Sequence, residues 1–139
     1  MSFDVLSELN YLAIAVAAAA YFAFGAIWYA PPLMGKMWQR AARLTDQQVG
    51  EGPNAVLFVG TYVAYFLEAL VLAAIAAHTG ASTVGDGLIL GLFVGVGIVG
   101  ATIWVNNAYQ RQTATLFWIN AINGIIGFVV MAIIVTVWE

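Results

Sequence analysis

Apolar positions along the chain gather into four long runs, parted by three polar stretches of which only one is long. A helix needs about 20 apolar residues to cross ~30 Å of hydrocarbon. The runs therefore predict four transmembrane helices, over about residues 9–29, 54–77, 87–107 and 114–138. The first run ends at Gly25-Ala26-Ile27-Trp28-Tyr29-Ala30-Pro31-Pro32. Proline removes a backbone donor and disfavours a helical residue before it, so this helix must stop near Ala30.

The long polar stretch, 31–53, has its own period. Leu33, Met34, Met37, Trp38, Ala41 and Ala42 recur at steps of three and four, while Lys36, Arg40 and Arg43 point elsewhere. That pattern predicts an amphipathic helix lying in the membrane interface between spans 1 and 2. Thr45-Asp46-Gln47-Gln48 then fits a capping box, with Thr45 as cap and Gln48 reaching back, and a short second helix that Gly50 and Gly52 end. Residues 78–85 read as a tight turn, after which Asp86 sits at the positive N-terminal end of the third span.

Composition agrees with the pattern and narrows the class. The chain is 63% hydrophobic and 8% charged, whereas soluble domains are near a quarter charged; all 139 residues are read as one integral membrane domain. Met1 to Leu9 holds Asp4 and Glu8 but no Lys or Arg, unlike a secretory signal, so the first span is expected to be retained. Lys36, Arg40 and Arg43 follow the first span, Arg111 follows the third, and the opposite side has no basic residue. The positive-inside bias then predicts both termini outside and both basic turns in the cytoplasm. Four basic residues form no nucleic-acid patch. With no cysteine and one histidine, His78, neither a metal site nor another cofactor is expected.

Small and polar residues within the spans carry what is left. Ala15, Ala18, Ala19 and Phe22 share one face of the first helix. In the third, Gly87, Gly91 and Gly95 step by four, with Gly97 and Gly100 following; this predicts close helix packing, with an unwound, ion-lining helix as the sharper alternative. The fourth carries Asn120, Asn123, Gly124 and Gly127 along one stripe, and the second carries Asn54, Thr61, Tyr65 and Glu68. Trp28, Tyr29, Trp38, Trp118 and Trp138 are placed as interfacial anchors.

Glu68 is the one ionisable residue deep in a span, and such a residue is a functional candidate by default. Two roles compete: a neutral acid hydrogen-bonded to Tyr65 or to the amides of Asn120 and Asn123, or a proton- or cation-coupled site with Tyr65, Thr61, Asn120 and Asn123 along a path. No nucleophile–base pair is present, and no Lys-Ser or Lys-Thr follows the glycines to make a phosphate loop. An enzyme is not expected.

The residues Gly25, Trp28, Tyr29 and Pro31, then Gly35, Lys36 and Trp38, then Thr45 and Gln48 form a pattern that resembles a bacterial membrane family catalogued as domain of unknown function 1761. Asn10 and Asn120-x-x-Asn123-Gly124 also look like family positions. The resemblance implies a four-helix protein of the bacterial inner membrane and brings no activity or catalytic residue with it. From the residues, the expected fold is an all-α bundle of four transmembrane helices in the lipid bilayer. The expected role is a small homo-oligomeric transporter or channel, or else an accessory subunit packed against a larger membrane complex.

Overall fold

The computed structural model describes residues 2–52 and 54–138. A 3-10 turn, Phe3–Ser7, leads into α1, Tyr11–Trp28. After the prolines come two short helices, α2 at Lys36–Ala41 and α3 at Asp46–Gly50. Then follow α4 at Ala55–Thr79, a third long helix in two parts, α5 at Val84–Val94 and α6 at Ala101–Tyr109, and finally α7 at Ala114–Val137. Four of these units, Tyr11–Trp28, Ala55–Thr79, Val84–Tyr109 and Ala114–Val137, are long and apolar enough to cross a membrane. Among the described residues there is no strand.

Helix boundaries follow from side chains that satisfy the free N–H groups of a first turn. Asn10 accepts from the Ala13 amide at 3.0 Å, so α1 starts at Tyr11 and not at Leu9. Asn54 caps α4, and α4 runs on to Thr79 because Gly80 is the first residue able to take the left-handed turn that ends it, at φ 70°. Thr83 and Asp86 close a capping box that starts the third span at Val84, earlier than its apolar run alone indicates. Thr45 and Gln48 close the other box, at α3. Thr113 caps α7.

The fourth span is the axis of the bundle. Its apolar stretch is 56% buried against 28%, 11% and 17% for the other three in chain order. The third span approaches it most closely, through glycine. A Cβ on Gly87 or Gly91 would lie 2.6 or 2.5 Å from the Cα of Ile133 or Val129, and one on Gly95 would lie 3.2 Å from Ile125 Cα. The two antiparallel backbones touch where side chains are missing, the usual means of close association in lipid. Between α5 and α6 the helix does not unwind. Residues Gly95–Gly100 widen into a π-type turn while Val94 and Ala101 keep helical dihedrals. The wider turn leaves Gly95 and Gly100, five residues apart, both buried.

α1 lies on α4 and α7 by a face one step round from the alanine stripe read in the sequence. Ala13, Ile14, Ala17, Ala18 and Tyr21 are buried, while Ala19 is exposed. The cause is Tyr21, whose ring takes the space a Cβ on Gly127 would need and so sets the rotation of α1. Ala15 and Phe22 instead meet α4: Tyr62 donates to the Ala15 carbonyl at 3.0 Å, and the Phe22 and Phe58 rings lie 5.8 Å apart.

The chain leaves α1 through a tight turn. The amides of Leu33 and Gly35 both donate to the Ala30 carbonyl, each at 3.0 Å. A side chain on Gly35 would collide with the carbonyls of Tyr29 and Ala30, so only glycine closes this turn. In α2, Ala41 is buried and Trp38 packs edge-on to Tyr29 at 5.9 Å, while Lys36 and Arg40 are exposed. Leu33 and Met37, assigned to the apolar side by period, are exposed; Leu33 precedes α2 at a non-helical kink, φ -103° and ψ -112°, which breaks the period read across 33–42.

Candidate intramembrane polar site

At mid-length α1, α4 and α7 bring together Tyr21, Tyr65, Glu68 and Asn123. The site begins with the stacked rings of Tyr21 and Tyr65, 3.9 Å between centroids and 23° between planes. Phe128 closes the side of Tyr21 edge-on, at 6.4 Å. Gly25 faces the stack: a Cβ there would make ordinary contact, 3.9 Å, with both the Tyr65 hydroxyl and Asn123 Oδ1.

Asn123 is 5% exposed and donates through Nδ2 to the Tyr21 hydroxyl at 3.3 Å. Its Oδ1 is buried with no donor among the described residues. Glu68 stands one turn beyond Tyr65 on α4, about 20 Å of helix rise from Ala55 and about 16 Å from Thr79. It is half-buried, and its Oε2 is buried with no hydrogen-bond partner among the described residues. The arrangement leaves two buried carbonyl-type acceptors without a donor among the described residues, in a region where lipid supplies none.

One sequence expectation changes here. Glu68 Oε2 makes no hydrogen bond to Asn120 or Asn123; α1 takes the Oδ1 of one amide and the Nδ2 of the other. Tyr29 donates to Asn120 Oδ1 at 2.7 Å, and Tyr21 accepts from Asn123. Trp28 and Tyr29, placed as interfacial anchors, also join helices. Trp28 Nε1 donates to the Ile119 carbonyl at 3.1 Å, and with Tyr29 it fastens the end of α1 to α7. Trp118 and Trp138 are exposed, and the Trp138 carbonyl accepts from Asn10 Nδ2 at 3.3 Å. Thr61 is half-buried one turn before Tyr65. Gly124 lies under Val99, and Gly127 under Tyr21.

Sequence reading passed over Tyr21. Its signal was available: Tyr21, Gly25, Trp28 and Tyr29 fall at steps of three and four on α1, opposite the Asn-Gly stripe of α7. No three His, Cys, Asp or Glu side chains converge among the described residues. A cation held at this site would rest on oxygen, from Glu68, Asn123 and the tyrosines.

No curated protein and no solved structure matches the chain. The family model described as protein of unknown function DUF1761 matches residues 12–136. This multi-pass membrane protein belongs to that family.

Proposed function

We propose that the protein is a small transporter or channel, working as a homo-oligomer, in which Glu68 takes up and releases a proton or a cation. The carrying observation is the pair of buried acceptors, Glu68 Oε2 and Asn123 Oδ1, that no donor of the described chain satisfies. Leaving one such group unpaired costs about 1–3 kcal/mol. A purely structural carboxyl gains stability by having a donor; a site that loads and unloads needs its acceptor free. In this reading Glu68 is neutral when it carries a proton and charged when it holds a cation, with Asn123 Oδ1 as a second oxygen. Tyr21 and Tyr65 fix the geometry by stacking rather than by charge.

The reading places Lys36, Arg40, Arg43 and Arg111 on the cytoplasmic side of a bacterial inner membrane, by the positive-inside bias. It assigns no enzymatic step, because the site pairs no nucleophile with a base. Gly60, Ala64 and Glu68 follow one another at steps of four on α4, and nothing lies within 4 Å of where a Gly60 Cβ would stand. A second copy seated on Gly60 and Ala64 would reach Glu68.

That same open face favours the second reading, an accessory subunit of a larger membrane complex. Purification in mild detergent with mass measurement separates the two. A homo-oligomer that conducts protons or a cation in liposomes supports transport, and a stoichiometric foreign partner with no flux across an ion panel supports the accessory role.

A further inference from the structure

The turn after α2 and the turn after α6 meet at one end of the bundle, and each is completed by an exposed arginine. Arg43 has φ 60° and Arg111 has φ 54°, the left-handed region that glycine usually fills after a helix. Thr113 joins the two turns: its carbonyl accepts from Asn107 Nδ2 at 3.0 Å, and its hydroxyl donates to the Ala41 carbonyl at 3.4 Å. A cleft of about 290 Å³ opens here, lined by five carboxamides, Asn106, Asn107, Gln110, Gln112 and Asn120, and by the apolar side chains of Ala42, Ile103 and Leu116.

The lining carries no charge, and two arginines outside it adjoin lining residues in the chain. Arg43 follows Ala42 directly, and Arg111 lies between Gln110 and Gln112. Inside, several hydrogen-bonding positions are open. Gln112 Oε1 is buried, so the position Gln112 offers is its Nε2, which makes no hydrogen bond among the described residues. Asn120 uses Oδ1 for Tyr29 and keeps its Nδ2, while Asn107 uses Nδ2 for Thr113 and keeps its Oδ1. A ligand that fits must donate and accept within a few ångströms and carry negative charge at one side only. A bare phosphate would leave the carboxamides unused, and a neutral sugar would leave the arginines unused. A zwitterionic choline headgroup would bring a cation into a cleft with no carboxylate.

We propose that this cleft binds a phosphate ester of a small polyol, of the glycerophosphate kind, with the phosphate at Arg43 and Arg111 and the hydroxyls among Asn107, Gln112 and Asn120. The ester is carried on a membrane lipid or is free in solution; the chemistry of recognition is the same. The site is independent of Glu68 and stands whether or not the protein transports ions.

The test is native mass spectrometry of the full chain in mild detergent. It is titrated with phosphatidylglycerol, with phosphatidylmethanol, which has the same charge and no headgroup hydroxyls, and with free glycerol phosphate. Two headgroup hydrogen bonds predict roughly tenfold better retention of phosphatidylglycerol than of phosphatidylmethanol. Gln112→Leu should remove that preference and leave phosphatidylmethanol unchanged. Arg111→Gly, which suits the left-handed backbone, should weaken both lipids alike. Competition by free glycerol phosphate assigns the soluble ester as ligand, its failure assigns the lipid, and both outcomes support the cleft. Equal retention of the two lipids by the unaltered protein, or binding of neither lipid and of no free glycerol phosphate, overturns the proposal without reference to any variant.

Discussion

The ring of Tyr21 on α1 occupies the space that a Cβ on Gly127 of α7 would need. This one fit joins the packing of the bundle to its polar centre. It lets Tyr21 stack on Tyr65 and accept from Asn123 at the same time. A methyl group at Gly127 would displace the ring and part both contacts. Gly127→Ala is therefore expected to destabilise by about 1–3 kcal/mol, the usual range for overpacking a filled interior. Thermal unfolding in detergent checks it, and an unchanged midpoint would mean that Tyr21 does not set the rotation of α1.

The glycines of the third span make a sharper contrast. Gly91→Leu forces a side chain against the Val129 backbone, which cannot yield as a side-chain tip can. The yield of folded protein should fall steeply. Leu92→Phe, on the neighbouring exposed position, should change stability by less than about 0.5 kcal/mol and leave the yield unchanged. Size-exclusion recovery in detergent reads both, and equal tolerance would remove the glycine contact from the account.

Much of this was legible in the sequence. The apolar runs mark four spans, and the Thr45 signature marks where α3 begins. Asp86 reads only as a charge at a helix end, and its capping box with Thr83 is passed over. Two kinds of information were not local. Which face of α1 is buried depends on Tyr21 finding Gly127, 106 positions away in the chain, and the alanines on both faces of α1 are too alike to reveal it. The partners of Glu68, Asn120 and Asn123 were equally hidden. Helical period shows that residues share a stripe, but not that Tyr21 and Tyr29, eight residues apart, reach two asparagines three apart.

Tyr29 allows that pairing to be measured. Tyr29→Phe removes the donor to Asn120 Oδ1 and should cost about 1–2 kcal/mol, because the amide oxygen is left without its partner. Trp28 still holds α1 to the Ile119 carbonyl, so the helix should not detach. Combining Tyr29→Phe with Asn120→Leu should cost less than the sum of the single changes. Strict additivity in the melting midpoints would show that the two side chains do not interact.

Orientation is open to direct labelling, because the chain has no cysteine of its own. With the basic turns in the cytoplasm, a cysteine at Ser82 should react with an impermeant thiol reagent in intact cells, and one at Gln47 should not. Reaction at Gln47 in sealed cells would reverse the topology.

The account rests most heavily on Glu68 as a loading site, and one substitution isolates it. Glu68→Gln keeps the shape and the capacity to hydrogen-bond but can neither gain nor lose a proton. The measurement is proton and cation flux in liposomes for the parent and for Glu68→Gln, each with its detergent melting curve. The expected result is an unchanged melting midpoint, within about 0.5 kcal/mol, with flux abolished. Flux that persists in Glu68→Gln at the parent's rate would contradict the central claim and leave Glu68 a structural residue.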